Sequence, residues 1–307
     1  MAAATSAKRR SRKPAKRQSS AKDAKEHDAP DPRDDVPEAE HGVSNEEEKE
    51  VKEHRRLRAL VIYEIIRVEG DGELARGFGA LWWSGLAAGI SIGLSVVSQA
   101  LLAAHLPDAP WKFLVEKLGY SVGFIVVIMA RQQLFTENTL TAVLPVISRQ
   151  KLDWLLVMLR LWGIVLAANM AGCLVVAATL AHTPMLPAEV ASNVREIALH
   201  LMENPAGAMF VKGIAAGWII AALVWMLPSA ENTEFFLIGL MTYMIALGDF
   251  THVVAGSVEA FYLWLQGEIG ASAVFLQFFL PTLAGNVFGG TVLFAVLTYA
   301  QIREEIR

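Results

Sequence analysis

The sequence predicts an all-α membrane protein of six transmembrane helices, arranged as two inverted three-helix repeats with broken second and fifth helices, behind a polar N-terminal arm. Three observations carry this. Charge is divided unevenly: residues 1–78 hold 34 of the chain's 58 Lys, Arg, Asp and Glu side chains, leaving 24 for the 229 residues from 79 to 307. That is about a tenth, against roughly a quarter in soluble domains. The second part consists of long apolar runs separated by short polar breaks, as helices in hydrocarbon require. These runs also repeat in one order: span, broken span, span, then the same again.

The arm comes first. Lys8, Arg9, Arg10, Arg12, Lys13, Lys16, Arg17 and Lys22 precede any acid, and the next 28 residues hold 12 acids. With almost no large apolar residue before Val51, residues 1–45 cannot bury enough surface to offset their ordering entropy and read as disordered. Glu46, Glu47, Glu48 and Glu50 then stand about four residues ahead of Lys52, Arg55, Arg56 and Arg58, which favours an exposed helix near 45–76. No signal peptide is read at the start, so the arm is expected to stay cytoplasmic. It reads as a solvated tail, with contact to anionic lipid as the competing reading.

The domain at 79–307 follows. Residues 80–104 are free of charge and long enough to cross about 30 Å of hydrocarbon at 1.5 Å per residue. Residues 118–130 are apolar but too short; the run stops at Arg131, Gln132 and Gln133, then resumes over 134–147 with Glu137 and Pro145 inside it. Residues 154–181 and 206–227 are continuous, each with one base near its start, Arg160 and Lys212. Residues 235–247 stop at Gly248 and Asp249, and 253–265 resume with Glu259 inside; 271–300 complete the set without a charge. The segment from His182 to Pro205 is expected to be a loop.

Phe135-Thr136 and Phe250-Thr251 match at an offset of 115, and Asn169 with Gly172 matches Asn286 with Gly289 at 117. Three spans per half is an odd number, so the second half enters the membrane from the opposite side. Arg149, Lys151, Arg303, Arg307 and the arm outweigh the bases of the other side, placing both termini in the cytoplasm. Non-helical backbone at membrane depth is tolerated only where protein or a water-filled path surrounds it, so two breaks imply a path. Its donors would be Thr136, Thr251, Asn138 and His252. Arg131, Glu137, Asp249 and Glu259 are expensive unpaired, so an ion pair across the breaks is expected, Arg131 with Glu259 or Asp249. Composition argues against a soluble enzyme, a disulfide-stapled module and a basic DNA-binding domain, and Cys173 alone can form neither an internal disulfide nor a cysteine metal cluster.

These residues carry a resemblance. Leu134-Phe135-Thr136-Glu137-Asn138, the Phe250-Thr251-His252 element, and Gly285-Asn286-Val287-Phe288-Gly289-Gly290 resemble the formate/nitrite transporter family over about residues 79–302. The run from Ile128 to Thr139, with Ala300-Gln301-Ile302-Arg303, is most similar to an inner-membrane subgroup. The resemblance implies an aquaporin-like hourglass protomer in the bacterial inner membrane, a homopentamer in contact with lipid, and a pore in each subunit for small monovalent anions such as formate or nitrite. It implies no cofactor and no nucleic-acid partner. His252 falls on the family's central pore histidine, Thr136 on the threonine of the second-span loop, Leu134 and Phe135 on its constriction, Asn286 on the sixth-span asparagine, and Asn169 on its repeat mate. Arg131 and Gln133 replace a usual glycine and acid, Glu137 a small residue, and Leu201 a lysine ahead of the fourth span.

Each candidate has a plainer reading beside it. His252 reads as a switchable donor that serves a weak-acid anion; the alternative is a packed, neutral, hydrogen-bonded ring. Thr136 and Thr251 line the pore or cap half-helices. Asn169 and Asn286 read as structural bonds between close helices. Phe135 reads as a constriction, and Phe250 as gate or packing alike. Arg131 recruits anions or clamps structure. His54, His105, His182 and His200 are expected in solvent. The function expected is a channel or proton-linked transporter for small monovalent anions. A channel for a neutral solute and a non-conducting membrane scaffold or sensor remain the alternatives.

Overall fold

The computed structural model describes residues 57–306, and every regular element among them is helical. The expectations for residues 1–56, including His54, lie outside the described residues. Helix α1 (Ala59–Leu74) falls within the range where a helix is expected, near 45–76, and starts after Arg58, whose backbone is extended. It buries Ile62, Tyr63, Ile66, Gly70 and Leu74 on one stripe. Its Asp71 takes a bidentate bond from Arg149, at 2.6 and 2.8 Å, and a third from Arg67 at 2.8 Å. The Arg149 guanidinium lies 4.0 Å over the Trp154 ring. α1 therefore packs against the helices that follow it, Val143–Arg149 among them.

Four helices are long and apolar enough to cross a membrane: Phe78–His105, Leu152–His182, Ala206–Ser229 and Ala273–Glu304. The first is α2 (Phe78–His105), which ends where Leu106 turns extended ahead of Pro107, as a residue before proline must. A short α3 (Lys112–Glu116) and a 3-10 turn (Lys117–Gly119) lead to α4 (Tyr120–Met129); after a non-helical stretch come α5 (Asn138–Thr141) and α6 (Val143–Arg149). The long α7 (Leu152–His182) is followed by α8 (Ala188–Met202), α9 (Ala206–Met226), α10 (Glu234–Leu247) and α11 (Val253–Leu265). The last helix changes pitch: π-turns at Ala273–Phe279 and Phe288–Ala295 alternate with α12 (Leu280–Val287) and α13 (Val296–Ile306).

α8 corrects the loop expected from His182 to Pro205. Val190, Val194, Ala198 and Leu201 form a helical stripe that is buried against α2 and α11. In each half two long helices meet at glycine. A Cβ on Gly89 of α2 would fall on the Asn169 carbonyl oxygen of α7, and one on Gly217 of α9 would fall on that of Asn286. Only hydrogen fits there, so the backbones approach as small-residue membrane contacts do. α11 is buried at every position from Val253 to Leu263.

Candidate functional site: two interrupted helices and a pinch

The site begins where α4 and α10 stop. Gln132 N–H bonds Val127 O and Arg131 N–H bonds Ile128 O, at 3.0 and 3.1 Å; Phe250 N–H bonds Ile245 O and Asp249 N–H bonds Ala246 O, at 3.0 and 3.2 Å. Both ends are Schellman caps with a left-handed residue, Arg131 at φ 54° and Asp249 at φ 51°. A side chain costs about 1–2 kcal/mol in that conformation relative to glycine, so surrounding structure must hold both corners.

An asparagine does so in each half. Asn169 Oδ1 accepts from Phe135 N–H at 2.9 Å, while its Nδ2 donates to Gly85 O and Gln133 O at 2.8 and 2.9 Å. Asn286 Oδ1 accepts from Val253 N–H at 2.8 Å, while its Nδ2 donates to Gly213 O and Thr251 O at 2.9 and 3.0 Å. These bonds pair Gln133 with Thr251 and Phe135 with Val253, and the corners pair Arg131 with Asp249. The register is thus 118, and the shared Phe-Thr letters at 115 do not mark equivalent positions.

From these clamps Thr136 and His252 reach each other. Thr136 Oγ1 lies 2.7 Å from His252 Nε2, and both side chains are buried. His252 also caps α11, its Nδ1 accepting from Ala255 N–H at 3.2 Å, so the neutral ring carries its proton on Nε2 and donates it to Thr136. Phe124 meets the ring edge-on at 5.0 Å. A cavity of about 530 Å³ lies on the His252 side, lined also by Tyr120, Phe250, Thr251 and Glu259, and opens near the C-terminal end of α2. A second, of about 480 Å³, is lined by Leu134, Glu137, Asn138 and Arg131, and opens toward the end of α1.

The other candidates fall as follows. Phe135 lines neither cavity; its ring is buried against Trp162 at 5.5 Å. Thr251 gives its hydroxyl proton to Met209 O at 2.7 Å, and Asn138 spends its amide on Gln133 Oε1 and Leu134 O, both at 3.1 Å. Arg131 does not pair with Glu259 or Asp249. It lies 3.6 Å from Glu69 at one mouth, whereas Asp249 bonds Lys212, and lies 3.5 Å from His200, at the other. The two breaks open to opposite ends, which separates Arg131 from both acids. His105 and His200 are exposed.

Gln133, Tyr120 and Lys212 are not among the site residues expected from the sequence. Gln133 joins Asn138 to Glu73, donating to its carboxylate at 2.8 Å. Lys212, held between Asn204 and Asp249, had one available signal: a charge in an apolar run needs a partner. Among the described residues no group of three or more His, Cys, Asp or Glu is placed to hold a metal.

Residues 60–300 match the family described as Formate/nitrite transporter. The chain belongs to the formate/nitrite transporter family. Its relatives in the family include the inner membrane protein YfdC of Escherichia coli, 45% identical over 249 residues that make up 81% of this chain and 80% of that one. The formate channel FocA of Haemophilus influenzae is 26% identical over 69% of this chain and 83% of its own. Among solved structures, a pentameric formate channel with formate bound superposes with a TM-score of 0.63 at 21% identity, covering 75% of this chain and all of that one. An ion channel of the same family gives 0.63 over 79% and 96%. Those two likenesses establish the fold. As a member of this family the chain is a membrane transport protein and not an enzyme.

Proposed function

We propose that each protomer forms a pore for small monovalent anions of the formate/nitrite class, with the Thr136–His252 pair as its narrowest point. The observation that carries this reading is that pair: one hydrogen bond joins two interrupted helices, with His252 lining one cavity and Leu134, Glu137 and Asn138, the neighbours of Thr136, lining the other. Six spans follow from adding the interrupted segments to the four long helices. α10 and α11 have 14 and 13 residues, each about 20 Å long and too short to cross alone. Three spans per half would invert the second half, and the bases of the short loops favour both termini in the cytoplasm; the likeness to an inner membrane protein supports a bacterial inner membrane. Exposed Phe235, Phe236 and Leu240 on α10 and Leu276 and Leu280 on the last helix form apolar flanks suited to lipid or to neighbouring copies. The likeness to a pentameric channel supports five.

A second reading, a pore for a neutral solute, is favoured by the pinch itself, where Thr136, the neutral His252 ring and Phe124 carry no formal charge. The test is flux in proteoliposomes across formate, nitrite, acetate, lactate, hydrosulfide and glycerol at two pH values, with His252→Asn as the pinch variant. Anion flux with selectivity altered in His252→Asn supports the first reading. Glycerol-driven swelling without anion flux supports the second, and a purified protein that moves none of these solutes defeats both.

A further inference from the structure

We propose that Glu259, rather than His252, is the group that hands a proton to the arriving anion; this deepens the pore reading and rests on it. The His252 ring is committed at both nitrogens, Nδ1 to Ala255 N–H and Nε2 to Thr136 Oγ1. A second proton, on Nδ1, would set N–H against N–H and uncap α11. Glu259 is in the opposite condition. Its residue is 7% exposed, it lines the same cavity as His252, and among the described residues its carboxyl has no hydrogen bond and no ion pair.

The bases around it are already matched. Lys117 lies 3.8 Å from Glu116, Lys112 lies 3.2 Å from Asp108, and Lys212 bonds Asp249. Lys117 attracts Glu259 over distance and Asp249 repels it. From α8 the cavity receives Glu196 and His200, the latter beside Asp249, and from α4 the Tyr120 ring. A buried carboxyl without a partner, beside matched charges, is free to hold or release a proton toward whatever occupies the cavity.

Placement suits the step. His252, Gly256 and Glu259 stand at i, i+4 and i+7 on α11, one stripe along the cavity wall, so Glu259 lies roughly 10 Å outward from the pinch. An anion arriving there accepts the proton: the Glu259 O–H bond breaks as the acceptor atom of the anion gains its own bond to hydrogen. Glu259 is left as carboxylate and regains a proton from hydronium in the water that enters the cavity, releasing one water molecule, while the uncharged acid goes on to a pinch that offers no cation.

The test uses the full chain in proteoliposomes, with formate influx and lumenal acidification followed between about pH 5 and 8. Size-exclusion profiles establish that each variant assembles as the wild type does. Wild type is expected to carry one proton with each formate and to slow as pH rises. Glu259→Gln is expected to be about a hundredfold slower, the usual worth of a positioned proton donor, with a flat pH profile, and Glu259→Asp to regain a pH-dependent flux. Glu259→Gln with wild-type rate and profile overturns the proposal. Should that variant not assemble, formate uptake by wild type without lumenal acidification, or a flux in Glu259→Asp that does not change with pH, overturns it instead. A wild type that moves none of the six solutes defeats the pore reading, and this proposal with it.

Discussion

Replacing Asn286 by Ala removes three hydrogen bonds at one stroke. Val253 N–H loses its acceptor, and Gly213 O and Thr251 O lose their donor, all in a fully buried place. Side-chain hydrogen bonds between membrane helices are worth about 0.6 kcal/mol on average and at most about 1.7, while a buried N–H left unpaired costs about 1–3 kcal/mol. Val253 N–H falls in the second class and the two carbonyls in the first, so the expected loss is about 2–4 kcal/mol. Asn169 makes the corresponding three bonds, to Phe135 N–H, Gly85 O and Gln133 O. Asn169→Ala should therefore cost the same within about 1 kcal/mol, the spread usual for such contacts. Asn286→Asp keeps the acceptor but loses both donations and buries a charge, so it should rescue nothing. The assay is reversible denaturant unfolding in mixed micelles, with formate flux measured on the same preparations. A loss below about 0.5 kcal/mol in either alanine variant, within the scatter of neutral surface changes, would refute the claim that these amides hold the two corners.

Three further outcomes are expected. Gly89→Ala and Gly217→Ala each force a Cβ onto an asparagine carbonyl and should cost about 1–3 kcal/mol by overpacking, whereas Gly163→Ala, with open space around it, should be neutral or slightly stabilising; thermal unfolding in detergent separates them. Thr136→Val leaves the His252 Nε2–H without its acceptor, costing about 1–2 kcal/mol, and should change solute selectivity in the same panel of solutes. Arg149, aided by Arg67, holds the Asp71 carboxyl below its usual value of 3.8. The contribution to α1 docking is thus complete above about pH 4 and lost only as pH falls through the lower folded value. Protease nicking of α1 should be flat from about pH 5 to 8 and rise in stronger acid, and Asp71→Asn should raise it throughout that range, by about 1 kcal/mol of lost docking at this partly exposed site.

Hydropathy made the four long helices legible because a charge-free run of that length has few other uses, and the same signal located both interruptions. α8 was hidden because its stripe of Val190, Val194 and Leu201 sits among polar residues and between prolines, where composition reads as loop. Asn169 and Asn286 were legible because the clamp needs an amide side chain at one place, with a glycine three residues on to let the helices close. Their partners were not, since Phe135, Val253, Gln133 and Thr251 take part through backbone groups that any residue supplies. The same reason defeats the register at 115. The equivalent corners, Arg131 and Asp249, share a left-handed φ and a pair of cap bonds but no side-chain chemistry.

That mismatch between backbone and side chain explains how a two-fold frame builds a one-sided site. Counted at 118, Leu134 stands where the other half has His252, Phe135 where it has Val253, and Thr136 where it has Val254. The frame brings the two interrupted segments together, yet only one contributes an imidazole and only the other a hydroxyl to meet it. A symmetric side-chain set would give His252 an imidazole partner, with one buried ring facing another. The asymmetric set gives it a hydroxyl that accepts from Nε2–H while Nδ1 caps α11, so both ring nitrogens are satisfied without charge. A pinch satisfied in its neutral state leaves proton exchange to a group with no such commitments. On the His252 side of the protomer, the carboxyl of Glu259 meets that condition.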